Sequence, residues 1–231
     1  MEKEPLKIWH FSDTHTYHDL LDVPEVDIAI FTGDCSNPKD PYINEHEVRE
    51  FLHWYRNLPI KYKIFVPGNH DVSIEKGLVT RKEIEDMGIV FLENEHVTIE
   101  GIKIFGSPYQ PQFGTGWAYN RDRSKMDNYW SLIDVDTQIV CTHTPPKTIL
   151  DAAYNPHTGV LENCGCQALK RHMLERVKPN LVCFGHIHNN KDIINAGELK
   201  FSAYETVFSN GSVVTDKLFG KVTSNGNIFE I

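Results

Sequence analysis

Tyr62-Lys63-Ile64-Phe65-Val66-Pro67-Gly68-Asn69-His70-Asp71 is the stretch on which the reading of the fold turns. Tyr62 to Val66 is short, largely apolar and rich in aromatic and β-branched residues, as a strand is. Pro67-Gly68 stops it, because proline offers no N–H to a ladder and glycine tolerates a sharp change of direction. Gly68-Asn69-His70-Asp71 then places an amide, an imidazole and a carboxylate together at a strand end.

The same arrangement recurs on both sides of this stretch. Leu6 to Phe11 reads as a strand that runs into Ser12 and Asp13-Thr14-His15. Ile28 to Thr32 runs into Gly33-Asp34, Ile139 to Thr142 into His143-Thr144, and Leu181 to Phe184 into Gly185-His186-Ile187-His188. Strand ends along one edge of a sheet converge in space, and α/β proteins place ligands there. Asp and Asn oxygens with His nitrogens suit divalent Mn, Fe or Zn. In Asp13-x-His15 and His186-x-His188 an extended backbone would send both side chains the same way. Gly33, Gly68 and Gly185 are expected to let the chain turn beside a crowded site. Taken singly, each cluster is as readily a surface loop, a turn or a half-buried histidine. All of them, in order and after strands, point to a metal site.

The segments between these strands carry other patterns. Ile43 to Leu58 has Val48, Phe51, Leu52 and Tyr55 at helical spacing, Thr80 to Met87 is a short helix closed by Gly88, and Cys164 to Val177 is a helix stopped before Pro179. Ile89 to Leu92, Val97 to Ile99 and Ile102 to Phe105 read as strands, with Gly101 in the last turn. Residues 106–128 form a loop long enough to be functional. The C-terminal part alternates short apolar runs with turns and reads as β-rich, with Asn210-Gly211 as a hairpin turn. The sequon Asn210-Gly211-Ser212 is then a chance match. With no repeat, linker or low-complexity segment, residues 1–231 are expected to form a single domain. Its class is α/β, with stacked sheets flanked by helices.

Composition narrows the function classes. A net charge of −9 over 231 residues argues against a broad nucleic-acid-binding surface. It leaves a nucleotide substrate open, since bound metal ions supply local positive charge. Met1-Glu2-Lys3-Glu4-Pro5 lacks the basic start and apolar run of a secretory leader, and no run approaches the length of a membrane span. Five cysteines at irregular spacing make a poor disulfide framework. These features predict reduced thiols and a cytoplasmic protein.

The ordered set Asp13-x-His15, Gly33-Asp34, Gly68-Asn69-His70-Asp71, His143 and Gly185-His186-x-His188 resembles the calcineurin-like metallophosphoesterases. The likeness runs from Asp13 to Ser212. Gly106-Ser107-Pro108-Tyr109-Gln110-Pro111, Trp117-Ala118-Tyr119-Asn120, Thr142-His143-Thr144-Pro145-Pro146 and Phe184-Gly185-His186-Ile187-His188 are similar to the MPPED-type branch, itself similar to class III cyclic nucleotide phosphodiesterases. The resemblance implies two central mixed β-sheets sandwiched between helices, a four-layer sandwich. It also implies two divalent metal ions. Asp13, His15, Asp34 and His188 would hold the first, and Asp34, Asn69, His143 and His186 the second, with Asp34 bridging. Mn2+ is favoured over Fe, Zn, Ni or Co. Asp34 and His70 would be catalytic, the ions activating water for in-line attack and His70 serving the phosphate or leaving group. Asn69 and His70 would also bind substrate, with Asn120 and Arg123 as further candidates; for Arg123 the alternative is a solvated side chain.

Departures from relatives matter too. In the protein Ser/Thr phosphatases of this family an Asp and an Arg follow Gly-Asp. Here Asn37 stands in the place of that Asp and no Arg follows, which argues against a phosphoprotein phosphatase. The expected activity is a phosphodiesterase acting on 2′,3′- or 3′,5′-cyclic nucleotides, with Tyr109, Phe113, Trp117 and Tyr119 as candidate base-stacking residues. The alternatives are a phosphomonoesterase of broad specificity and a non-catalytic scaffold of the same fold. Cys35 is read as packing, Cys164-Gly165-Cys166 as lacking the second pair a zinc site needs, and His18, His53, His96, His157 and His172 as surface or packing residues.

Overall fold

Lys7–Phe11 sends Ile8 into one apolar layer and Trp9 and Phe11 into another, so both faces of the strand are buried. That is why the strands of this sequence read as nearly continuous apolar runs. The computed structural model describes residues 4–190, 192–215 and 221–231. Met1, Glu2 and Lys3 of the leader reading, and 216–220 of the β-rich C-terminal reading, lie outside the described residues.

In chain order the strands are β1 (Lys7–Phe11), β2 (Ile28–Phe31), β3 (Tyr62–Phe65), β4 (Val90–Phe91), β5 (Glu95–Ile99), β6 (Ile102–Ser107), β7 (Gln110–Pro111) and β8 (Asn120–Arg121). There follow β9 (Ile139–Thr142), β10 (Ala152–Tyr154), β11 (Leu161–Asn163), β12 (Leu181–Phe184), β13 (Gly197–Lys200), β14 (Val207–Asn210) and β15 (Asn227–Glu230). The helices are α1 (Pro41–Arg56), α2 (Val72–Glu75), α3 (Arg81–Asp86), α4 (Met126–Trp130) and α5 (Gln167–Arg171), the last continuing as a π-helical turn over His172–Val177.

Two mixed sheets form the centre, one in the order β15-β1-β2-β3-β4 and the other β13-β14-β12-β9-β6-β5. The strands that carry site residues run parallel to one another, β1, β2 and β3 in the first sheet and β9 and β12 in the second, so their C-terminal ends share an edge. Ile8, Ile28, Ile30 and Ile64 of the first sheet meet Ile104, Ile139, Cys141, Leu181 and Cys183 of the second in the middle layer. Outside the first sheet, Phe11, Phe31 and Phe65 pack on Val48, Phe51 and Tyr55 of α1. Outside the second, Val140, Val182 and Phe208 pack on Trp130 of α4 and on Leu169 and Met173 of the α5 segment. The result is the helix–sheet–sheet–helix sandwich expected, with period-two alternation sorting each strand's residues between layers.

Caps set the helix limits. Asp40 accepts from Tyr42 N and Ile43 N ahead of Pro41, so α1 begins before the apolar stripe does. Thr80 and Glu83 form a reciprocal capping box at α3. The long loop is shorter than expected: β6 runs on to Ser107, β7 pairs with β8, and α4 starts at Met126. Asn210-Gly211 is not a hairpin turn. Gly211 N donates to Phe184 O and Ser212 bridges to Ser12, so the chain passes here from the second sheet to the first. Asn210 is fully buried and donates to Leu150 O and Ile187 O, which closes it to a glycan.

His10 ties the two sheets together beneath this edge. Its Nδ1 lies 2.6 Å from Ser209 Oγ of β14 and its Nε2 3.0 Å from Thr32 Oγ1. Burial lowers its pKa to about 3, with Asp13 opposing. Between that value and about 6.5 the unfolded chain takes a proton that the folded protein refuses. Stability is therefore complete above about pH 6.5 and falls as the pH drops towards 3, by about 1.4 kcal/mol per pH unit for this residue. Urea unfolding of the protein and of His10→Gln should show the variant losing less stability between pH 7.5 and 5. Parallel profiles would exclude this role.

Candidate metal centre

At the edge shared by β1, β2, β3, β9 and β12 the predicted ligands come together in three overlapping groups. Asp13, His15 and His188 form one, His15, Asp34 and His70 a second, and Asp34, His143 and His186 a third, with ligand atoms within 4.8 Å in each. Asn69 joins the last, its Oδ1 lying 2.9 Å from His143 Nε2. Asp34 belongs to two groups and stands between them.

The backbone reaches this arrangement by a route that alternation did not predict. Asp13 and His15 are not extended; their φ values are 54° and 42°, and Asp34 and His186 are also left-handed at 61° and 70°. Asp13 and His15 still meet in one group, but His186 and His188 do not share a direction. His188 turns to Asp13 and His15, and His186 to Asp34 and His143. Non-glycine residues in this region cost about 1–3 kcal/mol each and persist where the surroundings hold them. Asp13 N donates to Gly33 O and His15 N to Asp34 O, which locks the first loop to the second. Of the three glycines, Gly33 is left-handed at 98°, whereas the other two serve close approach. A Cβ on Gly68 would fall 2.3 Å from Asp34 Oδ1, and one on Gly185 2.1 Å from Ser12 Oγ.

Three imidazoles are aimed by backbone carbonyls. A carbonyl only accepts, so the ring nitrogen facing it carries the proton. His15 Nδ1 donates to Ser36 O (3.1 Å), His70 Nδ1 to Asn37 O (2.9 Å) and His143 Nδ1 to Thr32 O (2.7 Å). Each ring thus presents Nε2 to the centre. The carboxylates are held as firmly. Asp13 accepts from His186 N and from Ser212 Oγ (2.7 Å), and Asp34 Oδ1 from His70 N (2.7 Å).

Charge and burial make this a cation site. Asp13 and Asp34 are 0% and 2% exposed. Burial opposes their ionisation, but His188 and His143 hold Asp13, and His143 and His70 hold Asp34, well below the usual carboxylate range. Burial keeps His15 and His186 neutral, at about 4 and 3. Burial also disfavours the His143 imidazolium, yet Asp34 and Asp13 outweigh it and raise its pKa to about 9. Two buried carboxylates, an amide oxygen and several imidazoles, those of His15 and His186 neutral, converge there. Such a donor set fits divalent metal, with the carbonyl-bound Nδ1 positions as its outer support.

Asp71 was read as part of its motif without a role. It is fully buried, and its carboxylate accepts from Asp34 N, Cys35 N and Gly68 N at 2.7–3.0 Å, clamping the loop that carries Asp34 to the loop that carries Asn69 and His70. Cys35 Sγ also donates to Asp71, which gives this cysteine a hydrogen bond besides its packing. Asn37 meets His15 through its amide, which donates to His15 O. The signal for Asp71 was the carboxylate at the motif's end; the signal for Ser212 was absent, since a lone serine far along the chain says nothing of its neighbours.

The centre opens into a cleft of about 1150 Å³. His70 lies on its wall with the Trp117 ring tilted against it, centroids 4.2 Å apart, and Lys39 Nζ sits 4.0 Å from the centroid of Trp117's ring. Phe113 also lines the cleft, 5.0 Å from His186. The other two aromatics of the stacking set do not: Tyr119 is buried beside Tyr109, which packs on Tyr129. Arg123 lines the cleft, whereas Asn120 does not; its amide donates to Phe113 O and braces the loop. His157, read as a surface or packing residue, is on the cleft wall, contributed by the β10–β11 hairpin that the sequence left unmarked.

Comparison with known proteins agrees with this geometry. Residues 6–190 match the family model described as calcineurin-like phosphoesterase. Metallophosphoesterase domain-containing protein 1 of Homo sapiens is 30% identical over 227 residues, covering 88% of this chain; the chain spans 65% of that protein's length. A UPF0046 protein of Caenorhabditis elegans is 30% identical over 209 residues, covering 85% of this chain and 68% of its own. An uncharacterized metallophosphoesterase of Bacillus subtilis is 29% identical over 166 residues, covering 64% and 56%. One solved structure superposes with a TM-score of 0.62 at 14% identity, over 89% of this chain and 90% of the other, which supports the fold. With its ordered motifs, its two-sheet sandwich and its convergent Asp, Asn and His side chains, the chain belongs to the calcineurin-like phosphoesterase family and carries that family's metal-dependent phosphoric ester hydrolase domain.

Proposed function

We propose that this protein is a two-metal phosphodiesterase acting on cyclic nucleotides, 2′,3′- or 3′,5′-cyclic, and that Mn2+ is its favoured ion. The observation that carries the metal-dependent reading is the pair of ligand groups that share Asp34 at the foot of the cleft. Asp13, His15, Asp34 and His188 would hold one ion and Asp34, Asn69, His143 and His186 the other. When bound, such ions neutralise phosphate charge and bring the pKa of water towards neutrality. Four imidazoles in the set favour Mn2+ over hard Mg2+.

The remaining work falls to side chains. His70 keeps Nδ1 on Asn37 O, so its Nε2 is the atom that donates to a phosphate oxygen or to the leaving group. Asn69 fixes His143 and reaches the substrate from the same turn. Three features support diester over monoester. No arginine follows Asp34, so a dianion finds one counter-charge fewer. Phe113 and Trp117 line the cleft, and base–aromatic stacking is worth about 1–3 kcal/mol. The segments 106–111, 117–120, 142–146 and 184–188 resemble the MPPED-type branch, itself similar to cyclic nucleotide phosphodiesterases.

Residues 1–231 are proposed to work as one unit, supported by β15 returning to pair with β1. No helix of the described residues is long and apolar enough to cross a membrane. The cysteines are free thiols, which supports the cytoplasmic reading. The specificity is tested by comparing kcat/KM for bis-p-nitrophenyl phosphate with p-nitrophenyl phosphate, and for cyclic nucleotides with mononucleotides. Preference for the diester is expected in both; preference for the monoester in both would leave a general phosphatase.

A further inference from the structure

The cleft, at about 1150 Å³, is larger than the roughly 300–1000 Å³ usual for small-molecule sites. The ligand candidates account for part of its wall. Another part is built by the segment after His143, the turn before α4 and the β10–β11 hairpin, and it carries two cations, Arg123 and Lys147. Both are rooted on the turn formed by Cys164, Gly165 and Cys166. Arg123 Nη1 donates to Gly165 O (3.4 Å), Lys147 N donates to Cys166 O (3.1 Å), and a Cβ on Gly165 would fall 2.8 Å from Lys147 N. Both cations also act on Cys164: burial with Asp151 and Glu162 raises its thiol pKa, and Arg123 and Lys147 oppose the rise.

These cations differ from the ion-paired ones of the surface. Arg49, Arg81, Lys82, Lys103, Arg121 and Arg171 each sit against a carboxylate. Arg123 and Lys147 have no ion-pair partner among the described residues. Glu162, the carboxylate on this part of the wall, accepts from Asn155 Nδ2 (3.1 Å) and forms no ion pair with either cation. A chain of net charge −9 thus places two cations without ion-pair partners on the wall of its cleft, beyond the residues that would hold metal. A guanidinium presents paired donors that match phosphate oxygens, and an ammonium beside it adds a mobile point charge.

We propose that Arg123 and Lys147 form a second anion subsite, which holds a phosphate group other than the one cleaved, so that the preferred substrate is a phosphodiester carrying an additional phosphate. This rests on the phosphoesterase reading of the metal centre and deepens it.

The test uses two chromogenic esters, thymidine 5′-(p-nitrophenyl phosphate) and the same compound bearing a 3′-phosphate. The Mn2+-loaded protein should prefer the 3′-phosphorylated ester by about tenfold or more in kcat/KM, the scale of one charge-assisted contact. The ratio should collapse towards one in the Arg123→Gln/Lys147→Gln double variant. A ratio near one in the unaltered protein, or a preference that survives the double variant, overturns the proposal. Calorimetric binding of thymidine 3′,5′-bisphosphate and thymidine 5′-monophosphate separates this from failure of the hydrolytic reading. If neither ester is cleaved, tighter binding of the bisphosphate that vanishes in the double variant still supports the subsite. Equal binding of the two overturns it.

Discussion

Asp34→Ala is expected to lose metal and activity together, with hydrolysis falling to background. Asp34 is the residue common to the His15 and His143 groups, and it is 2% exposed. Its Oδ1 accepts from His70 N and its Oδ2 lies 3.3 Å from His143 Nε2. Alanine removes the shared carboxylate from both halves, leaving Asp13 beside His15 on one side and His143 and His186 with no carboxylate on the other. No neighbour can replace it, because Asp71 is turned away and occupied by backbone N–H groups. Elemental analysis after dialysis against Mn2+, with an assay on the same sample, checks the outcome. A variant that retains both ions would show that Asp34 does not bridge them.

His70→Ala should behave differently. It should retain the ions and lose about a hundredfold or more in kcat, the range for a positioned acid. The structure makes the distinction informative, because His70 also lies within 4.8 Å of His15 and Asp34 in a group that could hold metal itself. Its Nδ1 is committed to Asn37 O and its ring lies against Trp117 at the cleft, a placement suited to meeting substrate. Metal content unchanged with a large fall in rate supports the acid role. Loss of metal would make His70 a ligand and would remove it from that role.

Much of this was legible in the sequence because buried strands and strand-end clusters have strong local signatures. Ile139–Thr142 and Leu181–Phe184 fell where the apolar runs placed them, since both faces of each are covered. The turn at Glu100-Gly101 was legible too, its two residues both left-handed at 53° and 89°. The β10–β11 hairpin was not, because Leu161, Glu162 and Asn163 are all exposed and leave no apolar alternation to detect. The early start of α1 was signalled by Asp40-Pro41 but masked by an apolar stripe that begins later. At the site, residue types and their order pointed to metal, but not the left-handed backbone that aims them. Left-handed Asp13, His15 and His186 are held by hydrogen bonds from distant loops, and spacing within one segment carries no record of those. The division of the aromatic loop into Phe113 and Trp117 at the cleft and Tyr119 in the interior likewise depends on packing against α2 and β7, not on composition.

The central claim is that hydrolysis depends on divalent ions held at the Asp34-centred groups. It is tested most directly by titrating metal-stripped protein with Mn2+ or Mg2+ while bound metal and cleavage of bis-p-nitrophenyl phosphate are read in the same samples. The expected result is no activity in chelator, recovery as the second equivalent of Mn2+ binds, and weaker recovery with Mg2+ because of the histidine-rich ligand set. Full activity in excess chelator, with metal content near zero, would contradict the account.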